Sequence, residues 1–197
     1  GTAHGGDLAL IVEAAREGAI LAGAERVKGL EIERKPGGSP VTSADYAVDA
    51  FLKDRLRTAR PDYGWLSEET PDNPGRLKHR RIFVVDPIDG TVNFTYGIPH
   101  ACVSIALQRR LAKQNKYGEI YETIIGVVYD PFVEELWTAI RGQAAKLNGK
   151  PIHVNDGPLK EAMLSIGFAK DKKTMDYMMP YFSKLALKIR KPRMMGS

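Results

Sequence analysis

Val84-Val85-Asp86-Pro87-Ile88-Asp89-Gly90-Thr91-Val92-Asn93-Phe94 is the stretch on which the reading of the chain turns. An apolar strand runs directly into two carboxylates separated by Pro87 and Ile88. Pro87 holds its own φ near −65° and biases Asp86 toward extended backbone, so both acids can sit at the strand's end and converge on one point. Gly90 lets the backbone approach a ligand closely, and Thr91 can open a helix or turn whose N–H groups face an anion. Two carboxylates so placed repel each other, which raises one pKa unless a cation neutralises them. Hard oxygen donors completed by water and phosphate suit magnesium. The plainer alternative is a turn in which Asp86 and Asp89 only cap backbone amides.

Upstream, Ser67-Glu68-Glu69-Thr70 follows the apolar pair Trp65-Leu66. Adjacent side chains on a strand point to opposite faces, so only one of the two acids is expected to face the Asp86/Asp89 site. Read alone, this is a charged loop ahead of Pro71. Thr42 and Asp45 have the spacing of a capping box, and Val48, Phe51, Leu52 and Leu56 follow on one helical face before Pro61. Asp45 alone is a first-turn acid favoured by the helix dipole. Lys35, in the turn-rich loop 35–40, is by default a surface lysine. Taken together these groups supply a carboxylate cluster, a hydroxyl with an acidic partner, and amides for a phosphate, which are the parts of metal-assisted phosphate-ester hydrolysis. The four histidines, His100 among them, have no metal-ligand spacing and are read as incidental.

Elsewhere, Asp7 is placed to cap a first helix whose buried stripe is Leu8, Ile11, Ala15, Ala19 and Ala22. Leu30 to Arg34 alternates like a strand. Strand-like runs cover 82–85, 101–107, 123–129 and 134–140, and Asn148-Gly149 is a hairpin turn leading into 152–154. A further strand is expected at 162–166, and a helix at 174–187 that Pro180 kinks or restarts. The order predicts a mixed sheet with helices packed on it, an α+β or layered α/β arrangement.

The chain has 197 residues, 43% of them hydrophobic and 27% charged, which excludes disordered and fibrous classes. No apolar run approaches the ~20 residues of a membrane span. Nothing at the start reads as a secretory signal; Gly1 to Gly6 reads as a cloning remnant. The single cysteine, Cys102, cannot form an internal disulfide and reads as a small buried strand residue, which fits a reducing, cytoplasmic setting. Of the net charge of +5, residues 170–193 carry +6 (eight basic, two acidic), leaving −1 for the rest. The solvated face of a helix is preferred there over a nucleic-acid surface, since no aromatic or Arg-rich motif accompanies the charges.

The set Lys35, Val41-Thr42-x-x-Asp45, Glu68-Glu69 and Asp86-Pro87-Ile88-Asp89-Gly90-Thr91-x-Asn93-Phe94 resembles the inositol monophosphatase family of magnesium-dependent, lithium-sensitive sugar phosphatases. Gly126-Val127-Val128-Tyr129-Asp130-Pro131 and Gly142-x-x-Ala145-x-x-Asn148-Gly149 agree with that family's strand and hairpin, so the likeness runs from Asp7 to Ser197. The resemblance implies an αβαβα sandwich, with an N-terminal lobe over 1–141 (helices on an antiparallel sheet) carrying the metal site and a second lobe begun at 142–197. It implies that Glu69, Asp86, Asp89 and the Ile88 carbonyl hold two or three magnesium ions, with manganese as a substitute. Ile88, Asp89, Gly90 and Thr91 would meet the substrate phosphate, the last two through their amides. Glu69 would orient the attacking water, and the Thr91 hydroxyl paired with Asp45 would assist. Lys35 and Glu68 would support the site. The expected reaction is hydrolysis of inositol monophosphate by two-metal activation of water, in a cytoplasmic homodimer with no membrane partner. Histidinol phosphate, fructose bisphosphate and nucleotide 3′-phosphates are the alternative substrates. A non-catalytic homologue contacting nucleic acid or transcription machinery is the alternative of another kind. The family also carries a W-D-x-A-x-G motif with a further metal-ligating Asp, which this sequence does not contain. On that ground, and because the chain stops without a capping element, it is expected to be a fragment lacking the rest of the second lobe.

Overall fold

The computed structural model describes residues 4–36, 38–167 and 171–195. The chain divides into two compact units, Gly1–Ile152 and His153–Ser197. In the first, α1 (Gly5–Lys28) and α2 (Ser43–Ala59) pack against each other. Of the expected stripe, Ile11, Ala15, Ala19 and Ala22 are buried and Leu8 is partly buried against the same core. Small residues also set how closely the helices approach: a Cβ at Gly18 would stand 3.2 Å from Leu52 Cδ2 and 3.3 Å from Val48 Cγ1.

Asp7 does not cap α1. The helix begins ahead of it, with His4 at the N-cap, and Asp7 is buried in the first turn. Its Oδ1 accepts a hydrogen bond from Arg60 Nε at 2.7 Å, and its Oδ2 accepts from Arg81 Nη1 at 2.8 Å and the Tyr63 hydroxyl at 2.9 Å. A buried carboxylate must be paired to be tolerated, and this one ties α1 to the end of α2 and to the start of the central strand.

The hairpin β1 (Ile32–Arg34) and β2 (Pro40–Thr42) leads into α2. A seven-stranded sheet then runs in sequence order through β3 (Gly64–Ser67), β4 (Arg81–Asp89), β5 (Cys102–Arg110), β6 (Tyr121–Asp130), β7 (Glu135–Ile140), β8 (Lys146–Leu147) and β9 (Lys150–Pro151). Phe83, Val85, Val103, Ile105, Leu107, Ile125 and Val127 form its buried face. On it, α2 lies against β4 and α1 against β5 and β6. This is a mixed, layered α/β fold.

The sheet differs from the expected antiparallel one at a single pairing. β3 and β4 run parallel, because residues 68–80, including the 3₁₀ turn Pro74–Lys78, carry the chain back to the same end. The consequence is functional: Ser67 pairs with Val85, so Glu68 and Glu69 emerge beside Asp86. An antiparallel β3 would send them to the far end of the sheet.

Asn148 (φ 48°) and Gly149 (φ 80°) form the expected hairpin turn, both in the left-handed region that such turns require. Its strands end at Pro151, so 152–154 is not a strand. The first unit accordingly extends past the expected lobe boundary at 141, because the hairpin continues the same sheet.

The second unit holds β10 (Met163–Ser165), α4 (Lys172–Ala186) and β11 (Lys191–Arg193), the two strands pairing parallel. Asp171 caps α4 by accepting from Thr174 N at 2.8 Å, and the helix runs through Pro180. None of the residues of α4 is buried, so its basic side chains lie on a solvated surface; Lys170 lies outside the described residues. No helix among the described residues is long and apolar enough to cross a membrane.

Candidate active site

The two acids of the central motif lie within β4, not beyond its end. Three residues separate Asp86 from Asp89, so regular pleating would put them on opposite faces. A bulge removes that conflict: Asp86 pairs with Ser104 and Asp89 with Cys102, so three steps on β4 meet two on β5 and both acids share a face. Pro87 sits inside the bulge, where a missing ladder donor costs least. Gly90 then turns the chain with φ 92° and ψ 36°, a conformation open to glycine, and caps the short helix α3 (Thr91–Tyr96).

α2 supplies the second element. The expected capping box is present: Asp45 Oδ2 accepts from Thr42 N at 2.7 Å and from Thr42 Oγ1 at 2.6 Å. That arrangement buries Asp45 completely and leaves Oδ1 facing Thr91 Oγ1 at 3.0 Å. Thr91 Oγ1 is also 3.1 Å from the Ile88 carbonyl oxygen, and its single proton serves one acceptor at a time.

The third element is the turn after β3. Glu68 N donates to Val85 O at 3.2 Å, which anchors the turn to β4. Both glutamates reach the site, contrary to the expectation that only one would, because they lie past the last residue of β3 and are free of its alternation. Lys35 Nζ donates to Glu69 Oε1 at 2.8 Å and to Glu68 Oε1 at 3.1 Å. The Glu69 side chain is 3% exposed and that of Glu68 is 55% exposed. Lys35 is therefore paired with both glutamates, not a free surface lysine.

The electrostatics record the crowding. Asp86 is pushed up to about 7, first by burial, then by the charges of Glu68 and Asp89 and a hydrogen bond with Glu68. Asp89 is raised by burial and by Glu68, against the opposing influence of nearby His100. Glu69 is raised by burial, which outweighs the hydrogen bond from Lys35. Burial disfavours the Lys35 ammonium, but the bonds it donates to Glu69 and Glu68 win and hold its pKa above the usual lysine value. Cys102, half-buried as the strand partner of Asp89, is pushed up to about 12 by burial and by Asp89, Asp86 and Asp130.

Among the described residues no three His, Cys, Asp or Glu side chains are already arranged to hold a metal ion. The donor chemistry nevertheless fits a hard divalent cation. Four carboxylates and the Ile88 carbonyl are all oxygen donors, and Asp86 and Asp89 have no ion-pair partner among the described residues. A cation would offset the burial and the carboxylate repulsion that together push Asp86 up to about 7.

Sequence reading missed Asp49. One turn beyond Asp45 on the same face of α2, it is buried and accepts hydrogen bonds from the hydroxyls of Ser67 and Thr70, the residues flanking Glu68-Glu69. Ser67 Oγ in turn accepts from Glu69 N at 3.3 Å. The i, i+4 spacing from Asp45 among Val48 and Leu52 was the available signal. Asp49→Ala is expected to lower stability by about 1–3 kcal/mol through two unmade buried bonds, read as an earlier urea midpoint with an unchanged m-value.

The inositol monophosphatase family model matches residues 7–197. An inositol monophosphatase 3 from Solanum lycopersicum is 35% identical over 195 residues, covering 96% of this chain and 69% of that protein. A protein named Nus factor SuhB from Pasteurella multocida is 35% identical over 164 residues, covering 82% of this chain and 57% of that protein. The crystal structure of the extragenic suppressor protein suhB from Bartonella henselae superposes with a TM-score of 0.85 at 28% identity, over 98% of this chain and 71% of that one.

Proposed function

Because the chain belongs to the inositol monophosphatase family, a metal-dependent family of phosphoric monoester hydrolases, we propose that it hydrolyses inositol monophosphate to inositol and inorganic phosphate with magnesium as cofactor. The observation that carries this reading is the bulge in β4, which turns Asp86 and Asp89 to one face beside Glu68 and Glu69, next to the Thr91–Asp45 hydroxyl pair.

Glu69, Asp86, Asp89 and the Ile88 carbonyl would hold the magnesium ions, with manganese as a substitute. When bound, magnesium supplies positive charge to the phosphate and lowers the pKa of water. The chain's own groups do the positioning that phosphoryl transfer demands. The Gly90 and Thr91 amides, at the N-terminal end of α3, meet the phosphate oxygens. Glu69 orients the attacking water, and Lys35 holds Glu69 in place. Asp45, fixed by its capping box, keeps the Thr91 hydroxyl directed at the site as a proton relay. Glu68 supports the cluster through Lys35 and Asp86. Lithium inhibition, a homodimeric assembly and a cytoplasmic setting belong to the same proposal.

A second reading, a partner-binding role without turnover, is favoured by the likeness to a protein named as a Nus factor. One assay separates the two. Purified protein is incubated with magnesium and, separately, inositol 1-phosphate, histidinol phosphate, fructose 1,6-bisphosphate and a nucleotide 3′-phosphate. Magnesium-dependent phosphate release is expected, fastest from inositol 1-phosphate. Release from none of the four by magnesium-loaded protein would leave the binding role.

A further inference from the structure

At the other end of β4, five residues from Asp86 and about 17 Å away at the usual strand rise, lies a cavity of about 660 Å³ with the opposite electrostatic character. Arg81 pairs directly with Arg109 across the strands, and Arg110 N donates to Arg80 O at 2.8 Å, so four guanidinium-bearing residues meet at one sheet end. Like charges directly opposite on neighbouring strands are destabilising unless something compensates them.

The compensation present is incomplete. Asp7 serves Arg81, but it is shared with Arg60. Glu122 serves Arg109, but it is shared with Arg141. Each of these triads keeps a net positive charge. The Arg110 guanidinium donates to the Leu77 carbonyl at 2.8 Å, and among the described residues none of Arg110, Arg80 and Lys78 has a carboxylate partner. One carboxylate, that of Asp62, lines the cavity.

We propose that this cavity binds a small anion through two or more linked phosphate groups. Arginine forks match phosphate geometry bidentately, and one phosphate cannot neutralise cations drawn from β4, β5 and the 3₁₀ turn. The cations are confined to one end of the sheet, which favours a compact ligand over an extended polymer; Tyr63 and His79 flank them, and His79 is held by its ring contact of 2.7 Å to the Asp62 carbonyl. Free polyphosphate and the diphosphate of a nucleotide present the same chemistry.

The test is calorimetric titration of metal-free protein with inorganic tripolyphosphate and, separately, adenosine diphosphate. Without metal the carboxylate site repels anions, so saturable binding reports on the basic cavity. At least one anion is expected to bind, and the stronger arm identifies the source of the phosphates. Arg80→Gln combined with Arg110→Gln should weaken binding at least tenfold at an unchanged melting temperature, since both side chains are exposed. Lys78→Gln should give a smaller loss of its own, and Asp89→Asn none. The proposal is overturned if neither anion binds, if binding survives the double substitution, or if a single-stranded oligonucleotide binds where both small anions fail.

Discussion

Asp89→Asn is expected to reduce magnesium-dependent phosphate release by roughly a thousandfold, the order seen when one electrostatic stabiliser of a transition state is removed, with the fold intact. Asn keeps the size of Asp and can still accept from the Gly90 amide. It loses the charge that the bulge in β4 brings beside Asp86. The metal-free variant should melt no earlier than the wild type, because a group whose pKa is raised by burial and by Glu68 costs stability when ionised. Lost turnover with kept or raised stability marks a functional carboxylate. A variant that melts early while retaining most of its turnover would contradict the assignment.

Magnesium is expected to stabilise the protein, and the gain should grow between pH 5 and pH 8. The sign follows from Asp86, which sits at about 7 in the folded chain against an ordinary 3.8. Between those values the folded state holds a proton that the unfolded chain has released. Stability of the metal-free protein therefore falls as pH rises through that window and levels off above it. A divalent cation needs the ionised carboxylates and gains affinity over the same range. At a hundredfold excess over its Kd the stabilisation is about 2.7 kcal/mol, or roughly 5–10 °C in melting temperature for a chain of this size. Thermal melts at both pH values, with and without magnesium, provide the check. An equal or absent shift at pH 8 would remove the cluster as a metal site.

Much of this was legible because it is local. The capping box at Asp45 is written in four consecutive residues, and it marks the start of α2 without reference to the rest of the chain. Asn148-Gly149 makes its turn for a similarly local reason. Asp7 misled because a first-turn acid is a common capping signal. Its partners Arg60 and Arg81 lie far along the chain, and no spacing rule connects them. Lys35 was ambiguous for the same reason, since its partners are 33 and 34 residues away.

The chain order alone established the helix stripes, the run of strands and the family-like set of carboxylates, since periodicity and turn chemistry act over a few neighbouring residues. Three things came only from pairing partners distant in sequence. The extra residue opposite Ser104 and Cys102 turns Asp86 and Asp89 to one face. The parallel setting of β3 delivers Glu68 and Glu69 to that end of the sheet. Asp49 clamps the turn that carries them. Each depends on which strand lies alongside which, a choice made by burial of the whole apolar face and by no single segment.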